Sequence, residues 1–261
     1  MPRASRTAAP LAGNRDVAEL LSILREQSPP SLADFQKLLE QVGTMEQQLE
    51  AAVQELAAMR RDLVEMERRR HPAVNAMRKA VMAVQAQVLE LREKLSALKQ
   101  AIADGCKNAV AAFREKGTVA LDNIARFFHV RSMLEAVQMQ ADHAAQAAGR
   151  TVERIEAASR KYHEAGRHLK NAGRALTGKE AVQEARPPGK AAKTAAAPFR
   201  AVRTCFRSLE KSAASAASRL GRLEQQKPSI QNTIQQYNRQ IAQEKTRAVP
   251  VKVRPRPHAE R

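Results

Sequence analysis

Six cations on what reads as one helix carry the strongest chemical signal in the sequence. Arg200, Arg203, Arg207 and Lys211 are spaced three, four and four, which sets them in one stripe beside the apolar positions Phe199, Val202, Phe206 and Leu209. Arg219 and Arg222 lengthen the stripe, and Lys252, Arg254 and Arg256 load the Pro- and Arg-rich end AVPVKVRPRPHAER. Cations repeated at helical spacing suit a polyanion: a DNA or RNA backbone, bound with strong salt dependence and little sequence preference. Two other readings stand beside it. Phe199, Val202, Phe206 and Leu209 under an arginine-rich face also fit an anionic membrane surface, and a solvated basic helix is the plainest reading. Aromatics are 3% of the residues and Trp is absent, so stacking platforms for single-strand bases are missing.

The net charge of +18 is unevenly spread. Residues 1–70 carry 10 basic and 11 acidic groups, whereas residues 181–261 carry 17 and 5. Two-thirds of the surplus therefore sits in the last third of the chain, which directs the polyanion reading there.

Other reactive groups do not assemble into a site. Glu46, Glu50, Glu55 and Asp62 fall on solvent positions of helical repeats, where ion pairs along the helix are their ordinary role. His163 and His168 are five apart, which does not place two ligands on one helix face, and no HExxH or CxxC occurs. Cys106, beside Gly105 and without an adjacent His, reads as a small packed apolar group. Thr177-Gly178-Lys179-Glu180 lacks the glycine spacing of a phosphate loop. No enzymatic activity, cofactor, metal or small-molecule substrate is expected.

The elements that must carry these residues are helices. With 49 Ala among 261 residues and Leu, Glu, Gln, Lys and Arg in abundance, nothing alternates as strands do. From Phe35 the apolar positions run Leu38, Val42, Met45, Leu49, Ala52, Leu56, Met59, Leu63 and Met66, gaps alternating three and four. That rhythm specifies a narrow coiled-coil seam. A second seam runs Val74, Met77, Val81, Val84, Val88, Leu91, Leu95, Leu98 and Ile102, displaced by the equivalent of a four-residue stutter. Pro72 lies between them and suits a kink or the first turn of a new helix. With no Gly, Asn or Ser to supply a loop, the kink is preferred. A third seam from Phe127 to Leu176 thins to Ala, and a fourth runs from Phe199 to Leu223.

Asp16 is the expected cap of the first helix and Ser31 of the second, with Gly105 and Gly117 as C-caps and Thr118 as a further N-cap. The resulting expectation is an all-α, elongated protein of long antiparallel coiled-coil or bundled helices with disordered termini. Residues 1–15 form a disordered N-terminus. Helices span about 16–27, 31–70, 73–104 and 118–177 within a region 16–180. Residues 181–198 are a low-complexity linker, 199–246 a basic helix or helix pair, and 247–261 a disordered basic tail.

The segments VAELLSILREQ, LADFQKLLEQVGTMEQQLEAAVQELAAMRRDL, LREKLSALKQAIADGCKNAVAAFREKGTVALDNI and HLKNAGRALTGKE carry a resemblance. Over about residues 16–176 the chain resembles an uncharacterised family of helical bacterial proteins encoded in regions that include conjugative and other mobile elements. The resemblance implies helices and no established activity, so it transfers no functional residues. The basic C-terminal region has no clear counterpart in it.

The expected function is a non-enzymatic coiled-coil structural or interaction protein, as a scaffold or accessory to a mobile element. Its partner would be itself or another helical protein, met through the seams. In a parallel homodimer Glu55 with Arg60 would attract while Asp62 with Glu67 would repel, so antiparallel or internal packing stays open. Sequence-nonspecific nucleic-acid binding through the C-terminal region is the first alternative, peripheral membrane association the second. No segment has signal-peptide form and no window approaches the roughly 18 apolar residues of a membrane span, so a cytoplasmic protein is expected.

Overall fold

The computed structural model describes residues 11–68, 74–121, 128, 130–177, 179–182 and 189–225. A 3-10 turn at Leu11–Gly13 leads into α1, Arg15–Gln27. The cap is Asn14 rather than the expected Asp16. The Asn14 side-chain oxygen accepts from the backbone N–H groups of Asp16 (2.9 Å) and Val17 (3.3 Å), leaving Asp16 in the first turn, where the helix dipole favours it. Residues 11–15, expected to be disordered, are thus held in an ordered turn and cap.

Pro29 opens α2, Pro29–Arg68, two residues ahead of the expected Ser31, because a proline fits the first helical position without losing a needed donor. Ser28 Oγ donates to Ser31 Oγ at 2.8 Å instead. The third helix, α3, runs Val74–Lys116 straight through Gly105, which is buried in its interior and caps nothing. It ends at Gly117, whose φ of 63° is the left-handed cap conformation that glycine supplies. The fourth, α4, begins at Arg131 rather than near Thr118 and ends at Leu176; the fifth, α5, spans Lys190–Gln225.

Each seam finds its partner by folding back. Going forward along α2, Glu46 and Glu67 pair with Lys99 and Arg78, which go backward along α3. The two helices are therefore antiparallel, and the kink expected at Pro72 is replaced by a reversal between Arg68 and Val74. Two seams of large apolar residues bury each other this way, which a single bent helix could not do. Asp34 and Gln48 of α2 meet Arg219 and Ser208 of α5, again antiparallel, at 3.3 and 2.8 Å. Arg131, Asp142 and Glu156 of α4 meet Glu224, Arg207 and Arg200 of α5. With Gln140 of α4 donating to Gln87 of α3 at 2.8 Å, the ring α2–α3–α4–α5 closes as an up-down-up-down bundle. The short α1 covers one end, with Leu20 and Leu24 fully buried and Glu19 paired to Arg114 of α3.

The first seam is buried from Phe35 through Leu38, Val42, Met45, Leu49, Leu56 and Met59. Leu63 and Met66, at the reversal, are half-buried. Across the reversal Val74 is half-buried, and Val81, Val88, Leu91, Leu95 and Leu98 are buried. Internal burial leaves this seam no free face for a second chain, which corrects its expected use in dimerisation.

The fourth seam corrects the domain organisation. Phe199, Val202, Phe206, Leu209, Ala213, Ala216, Leu220 and Leu223 are all buried, so α5 is a bundle helix and not a tethered module. The stretch 190–198, expected as linker, forms its first turns. Its alanines continue the helix, Ala196 is buried, and Pro198 is accommodated inside. The expected helix beyond 225, the tail and residues 1–10 lie outside the described residues.

Candidate polyanion interface

Close packing of α5 against α2 and α4 divides the stripe that the sequence singles out. Arg200 pairs with Glu156, and Arg207 bridges Asp142 (2.6 Å) and Glu210 (2.8 Å). The hydrogen bond to Glu210, and next the one to Asp142, hold the Arg207 guanidinium above its ordinary pKa. Arg219 reaches Asp34 at 3.3 Å, where the carboxylate is nearly buried. These three arginines fasten α5 to its neighbours. Arg203, Lys211 and Arg222 are exposed and form no ion pair among the described residues. Arg203 lies flat along α4: its Nε is 3.5 Å from where a Cβ at Gly149 would stand, so glycine there makes room for it. Lys252, Arg254 and Arg256 lie outside the described residues.

Reading α5 alone misses the other half of the cationic surface. Arg150, Arg154 and Lys161 of α4 are exposed, and their spacing of four and seven places them on one line, away from the buried Ala141, Ala144 and Ala148. Lys190 and Lys193 of α5 are exposed at the same end of the bundle, since Gly189 N donates to Ser159 Oγ of α4. The signal is present in the sequence as a spacing, but without knowing which face of α4 is buried it cannot be told from a solvated surface. Together α4 and α5 carry 16 basic and 7 acidic residues, against 12 and 12 on α2 and α3.

The other nominated chemistry does not converge. Among the described residues no group of three His, Cys, Asp or Glu could hold a metal ion. Burial, then the charge of Asp16, push the Cys106 thiol up to about 12, which suits a packed apolar group and removes its nucleophilic thiolate at neutral pH. The face expected to suit a membrane surface, Phe199 to Leu209, points into the core. No described helix is long and apolar enough to cross a membrane.

Fold and surface together define an antiparallel four-helix bundle with a short capping helix and one strongly basic hairpin. The chain belongs to the family of unknown function DUF6674, which it matches over residues 13–256. The family likeness thus extends past residue 176 through α5 and into the basic C-terminal region, further than the resemblance in the sequence indicated. No curated protein and no solved structure matches the chain.

Proposed function

We propose that the protein is a non-enzymatic interaction protein that docks on a polyanion backbone, nucleic acid foremost, through the α4–α5 hairpin. The observation that carries this reading is the contrast in charge: net +9 on α4 and α5, net zero on α2 and α3. Most carboxylates of the basic hairpin are already engaged by its own arginines. The surplus cations Arg150, Arg154, Lys161, Lys190, Lys193, Arg203 and Lys211 therefore face solvent and form no ion pair among the described residues. Such a surface binds phosphates by releasing their counterions and carries no base readout. In this proposal the protein works in the cytoplasm as an accessory or scaffold of a bacterial mobile element, and the cationic tail adds to the same contact.

Retardation of duplex DNA by the full chain across a salt series tests it. Binding should weaken steeply with salt. Arg150→Gln/Arg154→Gln/Lys161→Gln should reduce the log–log salt slope by roughly 2–3, since each phosphate that a cation neutralises adds about 0.9 to it. No retardation at low salt, with binding to anionic liposomes instead, would transfer the reading to a membrane surface. Binding to neither sinks the polyanion proposal.

A further inference from the structure

The line along which α4 meets α3 continues past the end of α3. Gln140 marks that line, donating to Gln87 and Glu90 at 2.8 Å each. Counting the thirteen residues from Gln87 back to Val74, where α3 begins, carries the end of α3 to about residue 153 of α4. The helix runs on to Leu176, about 35 Å further at 1.5 Å per residue. Leu176 stands 36 residues beyond Gln140, about ten turns, and therefore on the same line; Leu169 and Tyr162 fall within about 40° of it. All three are bare, at 90%, 80% and 79% exposure. Between them lie only Ala and Gly on that face, and the gaps 162, 165, 169, 172, 176 keep the three-four rhythm.

The opposite side of the same stretch is covered by the chain returning from α4. Asn171 exchanges two hydrogen bonds with the backbone of Val182, at 2.9 and 3.1 Å, and Arg174 Nε donates to the carbonyl of Glu180 at 2.7 Å. The overhang is thus fastened on one face and apolar on the other. Among the described residues no helix meets the apolar face.

We propose that this stripe is the docking surface for a second copy of the chain, the two α4 overhangs packing antiparallel about Leu169. Tyr162 and Leu176 lie seven residues to either side of Leu169. A two-fold axis there sets Leu169 against Leu169 of the partner subunit and each Tyr162 against Leu176 of the partner subunit. The small residues 165, 166, 172 and 173 then meet one another. Gly166 and Gly173 have nothing within 4 Å of where a Cβ would stand, so the second helix can approach closely.

Charge permits this register. The positions flanking the stripe are Gly166 and Gly173 on one edge and Lys161, His168 and Ala175 on the other. In the antiparallel arrangement Lys161 comes against Ala175 rather than another cation, and His168 comes against His168 of the partner subunit. The bundle selects the direction: a parallel partner would run its α4 into the space that α3 fills. An antiparallel one ends opposite Tyr162, nine residues short of α3.

A helical continuation of α5 would not bring its apolar positions to the stripe. It leaves α5 at Gln225 beside the first turn of α4, where Arg131 pairs with Glu224, and Tyr162 is 31 residues, about 46 Å, further along. The apolar positions Ile230, Ile234, Tyr237 and Ile241 fall within 16 residues of Gln225, a helical span of about 24 Å. The paired stretch 162–176 overlaps over about 21 Å, the small end of specific interfaces, so the equilibrium belongs in the micromolar range.

Sedimentation of the full chain without nucleic acid, from about 1 to 300 µM, reads this out. The expected mass rises from the 28.8 kDa of the monomer to twice that. Leu169→Glu should hold the chain monomeric with an unchanged thermal unfolding curve at about 1 µM, where the parent chain is itself a monomer, since residue 169 is exposed. In a Cys205→Ser background, Leu169→Cys should give a disulfide-linked dimer on mild oxidation, whereas Arg160→Cys should not. A monomer throughout, a dimer that survives Leu169→Glu, or equal cross-linking by both cysteine variants would overturn the proposal. Polyanion binding by the monomer is measured separately and stands or falls alone.

Discussion

The two hairpins of the bundle use different means to hold two helices together. In α2 and α3 the seams are large side chains, Leu38, Met45, Leu56, Leu91 and Leu98 among them, which bury much area while holding the backbones apart. A groove of about 490 Å³ remains between these helices, lined by Glu46, Glu50, Gln54, Arg92, Ser96 and Lys99. In α4 the seam is Ala141, Ala144, Ala145 and Ala148, all buried, and α5 lies close against it. Alanine buries little area, so arginine–carboxylate pairs across the joint supplement the packing. The lesson concerns the surface as much as the core. Where helices are fastened by arginines that consume the available carboxylates, the remaining cations face outward unpaired.

Truncation at the joint of the basic hairpin should have the largest effect. Phe206, one of few large anchors there, is 1% exposed, and Phe206→Ala should cost about 3–5 kcal/mol in urea unfolding. Leu95→Ala, beside the groove, should cost nearer 2 kcal/mol because its surroundings can relax. Equal losses at the two sites would erase the distinction.

Enlargement should act oppositely in the two hairpins. Ala148→Leu overfills the α4–α5 joint and should destabilise by about 1–3 kcal/mol, while Val53→Leu, facing the groove, should be neutral or slightly stabilising by thermal melting. The half-buried ion pair of Glu46 and Lys99 sharpens the contrast further. Glu46→Ala takes the carboxylate from Lys99, which is 4% exposed, and should cost about 1–2 kcal/mol; Lys99→Met, which removes the buried charge itself, should cost less. Denaturant titration of both variants decides it.

The smallest expected effect is in alkali. Because burial raises the folded pKa of Cys106 to about 12 from an ordinary thiol value near 9, folding favours the neutral thiol. The stability it contributes is intact below pH 9 and falls as pH rises towards 12, by on the order of 1 kcal/mol at pH 10. Cys106→Ala should flatten that part of the pH profile. Cys205→Ala, on the half-buried thiol of α5, should flatten it less.

The helical class and nearly every buried position of the first two seams can be read from the sequence, because a three-four rhythm of large residues has one physical meaning. The direction of the chain at Pro72 cannot, since a stutter in register looks the same whether the helix bends or turns back. Residues 190–198 look like a linker because the run carries no seam of large apolar residues and ends on Pro198, although Ala and Lys are strong helix formers and Ala196 finds cover inside the bundle. The candidate site is half legible. Arg203, Lys211 and Arg222 are outward as their spacing suggests, but Arg200 and Arg207 have carboxylate partners on α4, and Arg219 one on α2, that spacing alone does not disclose.

The closure of α5 on α2 also sets a schedule for folding. Asp34 and Arg219 are 185 residues apart, so at 5–20 residues per second the ribosome needs roughly 10–40 s between making one and the other. Until α5 emerges, the side of α2 that it will cover has no partner from its own chain. Local hairpins can form meanwhile, but the core that α2 begins is completed only by α5. The nascent protein therefore spends most of its synthesis with an apolar slot open, and a chain truncated before residue 199 never fills it.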